Sequence, residues 1–140
     1  MEIKRIMVPV DDSGYSLRAL KYSIQFAQKM HCNILLLHCH KEFPSVLGEP
    51  YLQTVIEKIL KESNDVLEPY RKVLKDNNAE FEELVLEGPA GRAIVETAEI
   101  EKIDLIIMGS KGKTDLEGLI MGSTAHRVLH MSSCPVLIVR

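Results

Sequence analysis

Apolar residues along this chain follow two different rhythms. Short uninterrupted runs, Ile34-Leu35-Leu36-Leu37, Leu105-Ile106-Ile107-Met108 and Val136-Leu137-Ile138-Val139, alternate with longer stretches where apolar positions recur every three or four residues. The continuous runs predict strands covered on both faces, and the longer stretches predict the helices that cover them. Five strands are expected, over residues 3–10, 33–40, 80–87, 104–109 and 135–140. The third, Glu80-Phe81-Glu82-Glu83-Leu84-Val85-Leu86, is laced with carboxylates. Charge of that kind protects a sheet edge from unwanted pairing, which places this strand at an edge.

Four helices fall between the strands. Ser13 is suited to cap the first, which carries Leu17, Leu20, Ile24 and Ala27 on one stripe and runs to about Met30. The second keeps helical spacing from Leu52 through Ile59, Leu67 and Leu74, with Pro69 expected to kink or break it. The third starts near Pro89 and buries Ala90, Ile94 and Ala98; the fourth follows Gly122 and carries Ala125, Val128 and Leu129. Strands alternating with helices, joined by right-handed crossovers, give an α/β fold. Its simplest form is a doubly wound, five-stranded parallel sheet with helices on both faces. Such sheets bind ligands at the carboxyl ends of the strands, beside the point where strand order reverses. That rule directs attention to residues 9–13, 38–41 and 108–124.

Composition narrows the classes. The 140 residues suit one domain, 1–140, and 46% hydrophobic with 26% charged residues is ordinary globular usage. A net charge of −3, from 17 basic and 20 acidic residues without a basic run, argues against nucleic acid as a partner. The apolar stretch before Asp11 and Asp12 is too short for a signal segment or a membrane span, so a cytoplasmic protein with no membrane association is expected. Cys32, Cys39 and Cys134 form no Cys-x-x-Cys pair and read as reduced, mostly buried thiols.

The strongest chemical constellation lies at the end of the fourth strand. Gly109-Ser110-Lys111-Gly112 is followed, nine residues on, by Gly122-Ser123-Thr124 opening the last helix. Glycines there let backbone amides approach an anion, and a helix N-terminus offers unpaired donors and a favourable dipole. On spacing alone the bland alternative stands equal: the glycines turn the chain and Ser123 caps the helix.

This Gly-x2-Gly-x9-Gly-Ser spacing resembles the universal stress protein family. So do Ile6-Met7-Val8-Pro9-Val10-Asp11-Asp12-Ser13 at the start and Cys134-Pro135-Val136-Leu137-Ile138-Val139-Arg140 at the end, and the resemblance covers the whole chain. It implies a Rossmann-like sheet of the adenine nucleotide alpha hydrolase type, strand order 3-2-1-4-5, with ATP held at the carboxyl ends of strands 1, 2 and 4. The residues it implicates are Pro9, Asp11, Cys39, Met108, Gly109, Gly112, Gly122, Ser123 and Thr124. Asp11 would serve the nucleoside, Cys39 would contact adenine through its backbone, and the glycine motif would hold phosphates and ribose. The resemblance also implies a homodimer paired through the last strand, residues 136–139.

Physical reasoning supports part of this. A carboxylate beside a polyphosphate is repelled, so Asp11 belongs against ribose hydroxyls or the adenine amine, while one of Asp11 and Asp12 is expected to cap the first helix. Met108 is a candidate to pack on the sugar or base, but a buried strand-end methionine is the stronger reading. Lys111, Lys113 and Arg127 are candidates to screen phosphate, although such residues are usually solvated. Asp115 and Glu117 are candidates for water-mediated contact with Mg²⁺, but Mg²⁺ or Mn²⁺ is expected to arrive with the nucleotide. His126 and His130 share a helical face and His38 and His40 flank Cys39, yet no zinc spacing is complete, so no metal site is expected and the imidazoles read as surface or half-buried groups.

These features favour a regulatory stress-response module that binds ATP and catalyses no efficient turnover. Neither a Walker A motif nor a Gly-x-Gly-x-x-Gly fingerprint is present, and no catalytic base is evident. The alternatives are a slow ATPase or phosphoryl or adenylyl transferase, and a ligand-free dimeric interaction protein.

Overall fold

The computed structural model of the chain describes residues 1–112, 115–118 and 120–140. Its elements run β1 (Arg5–Val10), α1 (Gly14–Met30), β2 (Asn33–His40), α2 (Tyr51–Asp76), β3 (Phe81–Glu87), α3 (Ala90–Ile100), β4 (Leu105–Gly109), α4 (Ser123–Met131) and β5 (Val136–Val139). The five strands form one sheet in the order β3-β2-β1-β4-β5, with every pair parallel. Strand order reverses between β1 and β4, so the loops that follow these two strands part to opposite faces and leave a crevice at their carboxyl ends.

Alternation along the strands divides the core into two layers. Ile6, Val8 and Val10 of β1, with Ile34 and Leu36 of β2 and Ile107 of β4, pack against Leu20 and Ile24 of α1 and Leu67, Tyr70 and Leu74 of α2. On the other face Met7, Leu35, Leu37, Ile106 and Met108 meet Ile94 and Ala98 of α3 and Ala125 and Val128 of α4. Helices on both faces explain why β1, β2 and β4 carry apolar residues without interruption.

The carboxylates of β3 lie at an edge, as expected, and are engaged within the chain. Glu83 accepts two hydrogen bonds from Arg71, Nε to Oε1 at 2.7 Å and Nη2 to Oε2 at 2.8 Å. That fork holds the Glu83 carboxyl below its ordinary range. Arg5 pairs with Glu82 and, 2.9 Å away, with Glu101.

Three expectations change. Pro69 does not break α2, which is continuous from Tyr51 to Asp76. Proline removes a single backbone donor, while buried Ile59, Ser63, Leu67, Tyr70 and Leu74 hold the helix to the sheet on both sides of it. β1 begins at Arg5, two residues later than the apolar pattern proposes. The three cysteines are free thiols, but half-buried where deeper burial was expected. Among the described residues no helix is long and apolar enough to cross a membrane.

Candidate functional site

The crevice begins where β1 ends. Ser13 adopts extended backbone geometry and caps α1, its side chain accepting from the Ser16 amide at 3.3 Å. Neither member of the Asp11-Asp12 pair takes that role, which corrects the expectation. The Asp11 carboxylate instead accepts at Oδ1 from the Ser13 amide at 2.8 Å and from Ser16 Oγ at 3.0 Å. Tyr70 reaches across from α2 and donates its hydroxyl to the Asp11 carbonyl, with Ser16 Oγ also in hydrogen-bond contact with the phenol. Burial pushes the Tyr70 phenol up to about 12. These bonds fix the Asp11 side chain so that Oδ2 lies toward Gly112, where an added Cβ would come within 2.9 Å of it.

At the end of β2 two imidazoles are committed to structure. His38 Nδ1 donates to the Val10 carbonyl at 2.9 Å and His40 Nδ1 to the Lys41 carbonyl at 2.7 Å, while the His40 ring packs on Phe43 with centroids 4.7 Å apart. Both residues are buried, deeper than the surface or half-buried position expected, because the strand carries them beneath the loop and α2; His31, His126 and His130 are exposed. Cys39 lies between them on the opposite strand face. Burial pushes its thiol up to about 11, so it stays protonated at neutral pH and is a poor nucleophile and metal ligand. Among the described residues no group of three or more His, Cys, Asp or Glu is placed to hold a metal ion.

The third wall is the glycine loop and the start of α4. Gly109 is needed for packing: a Cβ there would meet the Tyr15 carbonyl carbon and Tyr15 Cβ at 2.8 Å. The Gly122 amide donates to the Ser110 carbonyl at 2.7 Å, which brings the returning chain back against the end of β4. Gly122 occupies the cap position of α4 with extended backbone, so Ser123 is the first helical residue rather than the cap. Its amide, with that of Gly112, belongs to the electropositive start of the helix and loop. The Asp115 carboxylate lies in this corner, accepting from Gly112 N at 2.6 Å and from Ser123 N at 3.4 Å.

These three walls enclose a cleft that is open to solvent. Of the nine residues predicted from sequence, Pro9, Asp11, Cys39, Met108, Gly109, Gly112 and Thr124 line it. Ser123 lines an adjoining cleft that shares Asp11, Cys39, Gly112 and Thr124. Gly122 is buried behind Asp115 and lines neither. Lys111 is at the rim, its Nζ 5.3 Å from the centre of the Tyr15 ring. Lys113 falls outside the described residues. Arg127 lays its stem against Gly91 and faces a separate groove. Sequence reasoning missed Ser16 and Tyr70 as supports of Asp11, and Ala90 and Ile94 as part of the apolar wall. Only the helical phase of Tyr70 with Leu67 and Leu74 hinted at its inward position.

Comparison with known proteins gives one consistent result. The model of the universal stress protein family matches residues 2–140. Universal stress protein MJ0531 of Methanocaldococcus jannaschii is 34% identical over 98% of this chain and 82% of its own length. YxiE of Bacillus subtilis, also a universal stress protein, is 27% identical over 97% of this chain and 98% of its own. Among solved structures, MJ0577 superposes with a TM-score of 0.87 at 33% identity, covering 99% of this chain and 96% of that one. The universal stress protein UspA from Lactobacillus plantarum gives the same TM-score at 23% identity, over 100% and 99% of the two chains.

Proposed function

Because the chain belongs to the universal stress protein family, we propose that it is a regulatory module that holds one adenine nucleotide, ATP with Mg²⁺ or Mn²⁺, in the cleft at the ends of β1, β2 and β4. The observation that carries this reading is the convergence of three chemically distinct surfaces in one place. Leu37, Cys39, Ile94 and Met108 offer an apolar wall to a purine ring. Asp11 Oδ2, aimed into the cleft by the bonds that hold Oδ1, offers an acceptor to ribose hydroxyls or the adenine amine. The Gly112 amide and the start of α4 offer donors and a positive dipole to phosphate. A universal stress protein 25% identical to this chain is known in complex with cAMP, which agrees with an adenine ligand.

A divalent ion would be held mainly by the phosphates, since among the described residues no group of three or more His, Cys, Asp or Glu is placed to hold one. The reading is one of binding and signalling rather than turnover. His38 and His40 spend their Nδ1 protons on backbone carbonyls, and the Cys39 thiol is held protonated. The module would act in the cytoplasm as a homodimer.

Calorimetric titration of nucleotide-stripped wild type and Asp11→Ala with Mg·ATP and with adenosine tests the assignment. Asp11→Ala is expected to weaken both ligands about tenfold, the size of one lost charge-assisted hydrogen bond. Unchanged affinity for adenosine in the variant would remove Asp11 from nucleoside recognition.

A further inference from the structure

The groups best placed to bind phosphate are already in contact with an anion, and that anion belongs to the chain. Asp115 Oδ2 accepts from the Gly112 amide at 2.6 Å and Oδ1 from the Ser123 amide at 3.4 Å, so one carboxylate bridges the glycine loop and the first turn of α4. Its seat is defined closely. A Cβ on Gly122 would lie 2.0 Å from Oδ2 and 2.7 Å from the carboxyl carbon, so the carboxylate rests directly on the glycine backbone at the helix cap. Asp11 Oδ2 approaches the same corner from the other side, 2.9 Å from the position of a Gly112 Cβ that Asp115 Oδ2 approaches at 3.5 Å. The loop is tied down by an Asp115 amide to Gly112 carbonyl bond at 3.4 Å.

From this geometry we propose that Asp115 determines the specificity of the nucleotide site, its carboxylate competing with ligand phosphate for the Gly112 and Ser123 amides and biasing the site against highly charged polyphosphates. The inference rests on the adenine-nucleotide reading above. A phosphate entering this corner must either displace Asp115 or remain beside it. Displacement exchanges two bonds to an internal carboxylate for bonds to the ligand, and coexistence sets like charges against each other. Either route weakens a triphosphate more than a monoester or a cyclic diester, and leaves a nucleoside without phosphate unaffected. The carboxylate also satisfies the amides when no phosphate is present, which holds Gly112 and the start of α4 together before a ligand arrives.

The test compares wild type, Asp115→Ala and Asp115→Asn, each nucleotide-stripped and checked for an unaltered melting temperature, in titrations with adenosine, AMP and ATP. Asparagine keeps the size of the side chain and removes its charge, so it serves even if the smaller alanine loosens the loop. Both variants are expected to bind ATP about tenfold more tightly than wild type, AMP less so, and adenosine equally, a gain the size of one charge-assisted hydrogen bond released from competition. A loss of Mg·ATP affinity in both variants would overturn the proposal and make Asp115 a metal-side ligand. Equal gains for adenosine and ATP would also overturn it, since the residue would then act on loop order. If adenosine, AMP and ATP bind neither wild type nor variants, the nucleotide reading fails and this inference with it, an outcome distinct from the first two.

Discussion

At the scale of single residues, the site depends on how one carboxylate is oriented. Asp11 follows directly on a strand whose side chains alternate between two cores, and that alternation alone does not dictate where its oxygens point. Ser13 and Ser16 hold the carboxylate, and Tyr70, from 59 positions away in sequence, holds the Asp11 backbone carbonyl beside it. Tyr70→Phe keeps the packing and removes the hydroxyl, leaving the Asp11 carbonyl without that donor. The variant is expected to be less stable by about 1–2 kcal/mol in urea unfolding, the usual cost of losing a buried hydrogen bond. The raised phenol adds a pH signature. Because folding raises the Tyr70 pKa from 10.0 to about 12, its contribution is fully present below about pH 10 and is lost as pH rises through about 12. An alkaline titration followed by phenolate absorbance should therefore show one upward-displaced step in wild type that is missing in Tyr70→Phe. An identical titration in both proteins would mean that Tyr70 is not buried as described.

At the scale of elements, most of the architecture was legible because each strand and helix announces itself by period. The runs at 34–37 and 105–108 became interior strands, the run at 136–139 became the half-buried edge strand β5, and the carboxylate-rich strand became the other edge. The misreadings concern choices between candidates that the local pattern cannot rank. Pro69 reads locally as a breaker, yet sheet contacts on either side of it keep α2 intact. The acid pair reads as a helix cap, yet Ser13 takes the cap and Asp11 lines the crevice. The glycines of the motif read alike but act differently. Gly109 is required by the backbone of α1, with a hypothetical Cβ 2.8 Å from Tyr15, whereas at Gly112 the nearest obstacle is the tip of the Asp11 side chain. Gly109→Ala should accordingly lose about 1–3 kcal/mol of stability through overpacking, while Gly112→Ala keeps its stability and loses nucleotide affinity. Melting curves set beside ATP titrations separate the two. Equal destabilisation of both variants would contradict the distinction.

At the scale of the molecule, the two edges of the sheet are unequal. β3 presents carboxylates tied to Arg5 and Arg71, a surface unsuited to pairing. β5 is short, apolar and half-buried, with β4 as its sheet neighbour on one side. An apolar edge of this kind is suited to pairing with its own copy about a two-fold axis, and that is the dimer we propose. Ile138→Pro removes a backbone donor from the pairing edge and should give a monomer by light scattering; an unchanged dimer would locate the interface elsewhere. The proposed dimer edge is β5 and the cleft lies at the crossover between β1 and β4, with β4 between the two.

The account stands or falls on adenine nucleotide occupying the cleft at the strand ends. The most direct measurement is a titration of isotope-labelled, nucleotide-stripped protein with Mg·ATP, following backbone amide resonances residue by residue. Saturable shifts that are largest at Asp11, Cys39, Gly112, Ser123 and Thr124, reaching a plateau near one nucleotide per chain, are the predicted result. Saturable shifts confined to another face of the molecule, or none at these amides at high ATP, would contradict it.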